Sequence, residues 1–243
     1  MAEDSGVAMQ KNPAGGPVGV LVALREEVRA IRAGLRGKNA VVTRTGIGKK
    51  NAENRTAALI ESAGPSVILA AGFAGGLDPR LTPGDVFVAS EVHDAEDSSA
   101  QWSAPHQLME LAAELSLSDH EIHFGKLVTV EKVMGSSQKK QELRARTGAA
   151  AVDMESSGIL RVAAEKKVPV LCVRTILDEV DFELPFDFGK ILTPEGRPRL
   201  LETLGAIAEQ PGRVAKLLPL RARARKAAKS LGFFLPRLVE ALT

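Results

Sequence analysis

Ser66-Val67-Ile68-Leu69-Ala70-Ala71 runs into Gly72-Phe73-Ala74-Gly75-Gly76. The first six residues carry no charge and end without a polar side chain. Such a run reads as a strand covered on both faces, as in a sheet sandwiched by helices. The glycines after it read as a turn at the strand's C-terminal end. Two further apolar runs match it, Val18 to Ala23 and Val168 to Ile176. The first follows a Gly15-Gly16-Pro17 break and the second leads to Asp178.

Outward from these runs, strand and helix alternate. Arg25 to Leu35 reads as a helix with Val28, Ile31 and Leu35 on one face. Ala40 to Thr43 is a strand entering Gly46-Ile47-Gly48, followed by a helix from about Lys50 to Ala63. Val86 to Ala89 is a strand entered through Pro83-Gly84-Asp85, and residues 94 to 106 read as a loop. His106 to Leu115 is helical, Ile122 to Val130 a strand, Ser136 to Arg146 a polar helix and Ala150 to Lys166 a small-residue helix. After Pro185 the pattern is helical, broken at Pro194, Pro198, Pro211 and Pro219. The alternation predicts a three-layer α/β/α domain over residues 17–243, with helices on both faces of the sheet. Residues 1–16, polar with Gly and Pro, are expected to be disordered.

Of the 243 residues, 44% are hydrophobic and 26% charged, an ordinary globular balance. The net charge of +2 is too small to argue for nucleic acid, but it is unevenly placed. From Arg213 onward there are eight basic residues and one acid, Glu240, or +7, so the remainder sums to −5. The chain has no tyrosine and one tryptophan, Trp102, which argues against an aromatic groove for nucleic acid. A lone cysteine, Cys172, cannot form an internal disulfide and fits a reducing cytoplasm. No apolar run approaches the roughly 18 to 20 residues that span a bilayer.

Ligands of α/β sheets gather at strand C-terminal ends. There stand Glu26, Glu27, the 72–76 turn, Asp153, Glu155 and Asp178. Each has an ordinary explanation: helix-start acids favoured by the dipole, a tight turn, an N-cap, a solvated acid in Asp178-Glu179-Asp181-Glu183. The glycine turn matches neither the dinucleotide fingerprint nor the P-loop. His93, His106, His120 and His123 lack metal-ligand spacing, so no metal is expected.

Their order is more specific than any one of them. Ala23-Leu24-Arg25-Glu26-Glu27-Val28, Thr45-Gly46-Ile47-Gly48-Lys49, Gly72 to Leu77 with Pro83-Gly84-Asp85, Val152-Asp153-Met154-Glu155-Ser156 and Val173 to Asp178 follow one another between about Gly19 and Asp181. This series resembles the nucleoside phosphorylase and nucleosidase superfamily, which includes purine nucleoside phosphorylase and methylthioadenosine/S-adenosylhomocysteine nucleosidase. The resemblance implies a mixed central sheet, a homo-oligomer of two or more copies, and cleavage of the N-glycosidic bond of a purine nucleoside. Breaking that bond builds positive charge on the sugar and negative charge on the base. By resemblance Asp178 is the acid on purine N7, Glu155 holds the ribose hydroxyls, and Met154 packs against sugar and base. Glu27 would orient the attacking water of a hydrolytic member. Asp153, Phe73, Gly72 and Lys132 fall at substrate-binding positions.

Departures from the family pattern bear on the nucleophile and the substrate. Phosphorylases carry an arginine just before the glycine turn, where this chain has Leu69-Ala70-Ala71. Phe73 replaces a small hydroxyl residue, and Lys132 stands where the nucleosidase stacks an aromatic ring. Backbone amides of the turn, with Arg25, Arg44 or Lys49, leave inorganic phosphate as an alternative co-substrate, but the pattern favours water. No organic cofactor is implied. Residues 185–243, with Pro194-Glu195-Gly196-Arg197-Pro198, and Val152 to Ser157 are similar to the hopanoid-associated phosphorylase branch, which removes adenine from adenosylhopane. A lipid-linked adenosine is therefore the expected substrate. Methylthioadenosine or S-adenosylhomocysteine, a general purine nucleoside, and non-catalytic nucleoside binding are the alternatives.

The tail has two expected uses. Arg221, Arg225 and Lys229 recur every four residues, while Leu231, Phe233, Phe234, Leu235, Leu238, Val239 and Leu242 are apolar. Such a helix can lie on the anionic inner face of a membrane, or dock on its own domain or a neighbouring subunit.

Overall fold

The computed structural model describes residues 15–115, 121–184, 193 and 217–243. The N-terminal segment expected to be disordered lies outside these apart from Gly15 and Gly16, as does most of the Pro-punctuated stretch after Pro185. Eight strands are seen among the described residues: β1 (Val18–Val22), β2 (Ala40–Arg44), β3 (Val67–Gly76), β4 (Val86–Asp94), β5 (Gln101–Ser103), β6 (Ile122–Thr129), β7 (Ala151–Asp153) and β8 (Val170–Asp178). The helices are α1 (Arg25–Arg32), α2 (Lys49–Ala63), α3 (His106–Ala113), α4 (Ser137–Thr147), α5 (Ser156–Glu165) and α6 (Leu217–Leu242).

The strands form one mixed sheet in the order β2-β1-β3-β7-β6-β4-β5, with β8 between β3 and β4. β3 is parallel to β1 and β8, whereas β8 is antiparallel to β4 and β7 is antiparallel to β3. The path β3-β8-β4-β6-β7 returns to β3, so this part of the sheet closes on itself. β3 pairs with β1 only through Val67 to Ala70 and with β7 further along, where Gly75 and Gly76 meet Val152 and Ala151; beyond a register shift between Ala74 and Gly75 it still pairs with β8, Gly75 opposite Asp178.

Successive strand residues point to opposite faces, and the core divides accordingly. Val18, Val20, Val22, Val67, Leu69, Ala71, Leu171 and Val173 pack with residues of α1, α3 and α6. Leu21, Ile68, Ala70, Phe87, Leu127 and Cys172 pack with Ala52 and Leu59 of α2 and with Ile159, Leu160 and Ala163 of α5. Three layers result, as expected.

Local differences from the sequence expectation have identifiable causes. The glycine stretch 72–76 is the second half of β3 rather than a turn, since pairing with β8 and β7 outweighs glycine's low strand preference. The segment read as one helix from Ala150 is the short strand β7, then α5 from Ser156. Asp153 accepts from the Ser156 amide at 3.1 Å and marks the break. The expected loop 94–106 holds β5, antiparallel on β4.

The tail helix docks on its own domain. Leu231, Phe234, Leu235, Leu238 and Val239 of α6 are fully buried in the first core layer. A Cβ on Gly232 would fall 2.5 Å from the Ala30 carbonyl oxygen, and one on Gly34 2.5 Å from Pro236 Cγ, so α1 and α6 meet backbone to backbone. The apolar residues that could have faced a lipid surface are mostly taken by the protein's own core, while Arg221, Arg225 and Lys229 are exposed. Among the described residues no helix is long and apolar enough to cross a membrane.

Candidate active site

A cavity of about 680 Å³ opens at the C-terminal ends of β1, β3 and β8, within the size range of small-molecule sites. Glu27, Phe73, Asp153, Met154, Glu155 and Asp178 line it together. Gly72 stands beside Glu27 beneath it. Lys132 is exposed and absent from the wall; its neighbours Glu131 and Val133 line the cavity instead.

Glu27 sits in the first turn of α1, where an acid suits the helix dipole. Its carboxylate nevertheless turns inward and is 2% exposed. Oε2 accepts from the Leu24 amide at 2.7 Å and Oε1 from the Phe73 amide at 2.8 Å. Burial raises its pKa, while these amides and the Arg174 charge oppose the rise.

Arg174 lies on β8 opposite Gly72 and is 1% exposed. Its Nη2 is 2.5 Å from Asp153 Oδ2 and donates to Ser156 Oγ at 2.8 Å. Its Nε finds no acceptor among the described residues. Asp153 Oδ1 accepts from Thr129 Oγ1 at 2.7 Å, so this carboxylate is tied to the floor rather than free for a ligand. An arginine inside an apolar run was a legible signal, because arginine is almost never fully buried unless paired.

Glu155 occupies the bend between β7 and α5. Oε1 accepts from the Gly48 amide at 2.9 Å, joining the Gly46-Ile47-Gly48 turn to the cavity. Burial, with the adjacent Asp153 charge, raises its pKa to about 7. Asp178 ends β8, 5% exposed. Lys140 of α4 forms an ion pair with its Oδ2. Burial raises the Asp178 pKa and Lys140 opposes it. Lys140 was one lysine in a polar helix, with nothing in its spacing to mark it.

Of the expected cationic helpers for an anion, Arg25, Arg44 and Lys49, none lines the cavity. Lys49 Nζ donates to Asp94 at 3.0 Å and Glu96 at 2.8 Å, and Arg25 is exposed. Burial would raise Asp94, but hydrogen bonds from Ser157 and Lys49 bring it down to about 2. The Lys49–Asp94 pair is thus a structural tie between α2 and β4. Among the described residues, no group of three or more His, Cys, Asp or Glu side chains is arranged to hold a metal ion.

Residues 17–193 match the model of the Phosphorylase superfamily. A 5′-methylthioadenosine/S-adenosylhomocysteine nucleosidase of Shewanella sediminis is 31% identical over 197 residues, covering 72% of this chain and 84% of the relative. One of Staphylococcus epidermidis is 27% identical over 227 residues, covering 77% of this chain and all of the relative. The structure of futalosine hydrolase from Helicobacter pylori superposes with a TM-score of 0.70 at 22% identity, covering 93% of this chain and 97% of that one. With its mixed sheet, its carboxylate-lined cavity and a family match over most of its length, the chain is an enzyme of the Phosphorylase superfamily.

Proposed function

We propose that this enzyme hydrolyses the N-glycosidic bond of a purine nucleoside, releasing adenine from a 5′-modified adenosine. The observation that carries the choice of water is the occupation of the Phe73 amide by Glu27 Oε1. A phosphate ion would need that amide, a free cation, or both. It would instead meet the carboxylates of Glu27, Asp153 and Glu155 in a wall that, among the described residues, holds no lysine or arginine side chain. A dianion is repelled there; a neutral water is not. The nucleosidase and hydrolase relatives agree with this reading.

In the proposed reaction Asp178, protonated, gives its proton to purine N7 as the C1′–N9 bond breaks and its electrons pass into the base. Glu155 accepts from the ribose hydroxyls, and its negative charge favours the developing sugar cation. Glu27 accepts a proton from the water that adds to C1′. An acid so placed contributes roughly 10²–10⁴-fold. Met154 and Phe73 supply apolar wall for sugar and base. The test is to incubate the enzyme with methylthioadenosine with and without phosphate and identify the sugar. Adenine plus a reducing sugar, at a rate indifferent to phosphate, is expected, and Asp178→Asn loses turnover by orders of magnitude. A sugar 1-phosphate would overturn hydrolysis. Turnover unchanged in Asp178→Asn would overturn the mechanism, and adenosine binding without any turnover would leave a nucleoside-binding protein.

For the 5′ substituent we propose an apolar, lipid-like group, as in adenosylhopane. Val133, Met134, Leu184, Leu220 and Ala224 are apolar residues of the cavity wall, two of them from α6. Deleting α6 would remove core, so a point change is the fair test. Leu220→Asp is expected to depress kcat/KM for adenosylhopane at least ten times more than for methylthioadenosine. Equal losses would argue for a small substituent.

A further inference from the structure

Lys140 is 1% exposed, which for a lysine requires compensation from every side. Its ammonium has three N–H groups and three acceptors: Asp178 Oδ2, the Glu179 carbonyl at 2.7 Å and the Phe182 carbonyl at 3.2 Å. Asp178 lines the cavity and Lys140 does not. The ammonium therefore reaches the acid from behind the wall, out of contact with any ligand. Two carbonyl bonds would suffice to pin the 178–182 turn. The third bond is the one that bears on chemistry, because it goes to the group that must carry a proton.

We propose that Lys140 is the positioning residue of the acid: it fixes Oδ2 of Asp178, leaves Oδ1 to hold the proton that meets the base, and sets the pH above which that proton is lost. The proposal rests on the hydrolytic reading above. In the step itself the proton passes from Oδ1 to N7, the C1′–N9 electrons enter the purine, and the Asp178 carboxylate left behind stays paired with the Lys140 ammonium, which keeps its own protons. Asp178 is reloaded from solvent after the base leaves. The pairing makes Asp178 a stronger acid than its burial alone would allow. The other charges acting on it are Glu179 beside it, which favours the protonated form, and Arg223 of α6, which opposes it. Arg223 is itself held by Glu179 at 2.9 Å, so these two act on Asp178 with opposite sign, and Lys140 is the cation in direct contact with it.

The test uses the full chain with Lys140→Met and Lys140→Arg. The Asp178 carboxyl is followed by carbon NMR in unliganded protein, assigned through Asp178→Asn, and kcat/KM for methylthioadenosine is measured against pH. In Lys140→Met the Asp178 titration and the alkaline limb of kcat/KM are both expected to move up by about one pH unit or more; Lys140→Arg keeps both near wild type. An Asp178 titration unmoved in Lys140→Met would overturn the proposal, whatever happens to melting temperature. Should Lys140→Met fail to fold, the wild-type Lys140 Nζ nitrogen resonance decides: it must shift as Asp178 titrates, and silence there overturns the pairing. If the wild type cleaves no purine nucleoside, the hydrolytic reading falls, while the Asp178 titration still judges the pair.

Discussion

Gly72 lies so close to the Glu27 carboxylate that a Cβ on it would stand 2.7 Å from Oε1 and 2.9 Å from Arg174 Nη1. With φ at +148° the position also disfavours an L side chain. Glycine is thus required twice, for backbone conformation and for room. Gly72→Ala should push Glu27 off the Phe73 amide and lower kcat/KM about 100-fold, since a displacement of about 1 Å can cost that much. Steady-state kinetics check this, and activity within threefold of wild type would mean Glu27 has no part in positioning water.

Glu155 links function to stability through pH. Its folded pKa of about 7 exceeds its ordinary 4.5. A carboxyl with a raised folded pKa contributes stability fully below about pH 4.5, and that contribution is lost as pH rises through 7. At pH 8 the loss is about 3 kcal/mol by that difference. Glu155→Gln keeps an acceptor for the Gly48 amide without the charge. Its melting temperature relative to wild type should therefore rise by several degrees between pH 5 and pH 8, while its activity falls at least 100-fold. A relative melting temperature flat across that range would contradict the raised pKa.

Arg174 and Asp153 are a buried pair, and removing one partner leaves the other charged and alone. Arg174→Met should lose about 3–5 kcal/mol in urea unfolding. Arg174→Met with Asp153→Asn should recover part of it, because no unpaired ion remains. A double variant as unstable as the two single changes added together would show that Asp153 is held by Thr129 and the Ser156 amide, with Arg174 incidental to it.

Gly232 in α6 faces the Ala30 carbonyl of α1 with no space for a methyl group. Gly232→Ala should lose about 1–3 kcal/mol by overpacking, against the gain in helix preference that alanine ordinarily brings. Thermal unfolding gives the sign. A stabilised variant would mean that α6 can withdraw from α1 at no cost.

The apolar strands β1, β3 and β8 were legible because a run almost without polar positions, broken only by Arg174 and Thr175 before Asp178 in β8, leaves a sheet residue no face but the core. Glu27, Glu155 and Asp178 could be placed near one site because they follow strand ends in a recognisable series. Gly72 to Gly76 misled, because glycine runs signal turns locally and only the partner strands make them extended. β7 was hidden for a related reason: three residues of strand, Ala151 to Asp153, merge into the small-residue helix that follows. Arg174 stood in plain view inside β8 yet was passed over as part of a motif. Lys140 could not have been singled out, since its partner lies 38 positions away and only the fold joins them.

The docking of α6 also sets the order in which the molecule can be finished. Phe234, Leu235 and Leu238 complete the layer begun by Val18 and Val20, some two hundred positions earlier in the chain. During synthesis the strands are made long before the helix that covers them, and closing so long a loop is slow. Until about Val239 emerges, that apolar face of the sheet is covered only in part, by α1 and α3, and the remainder is open to aggregation or to a chaperone.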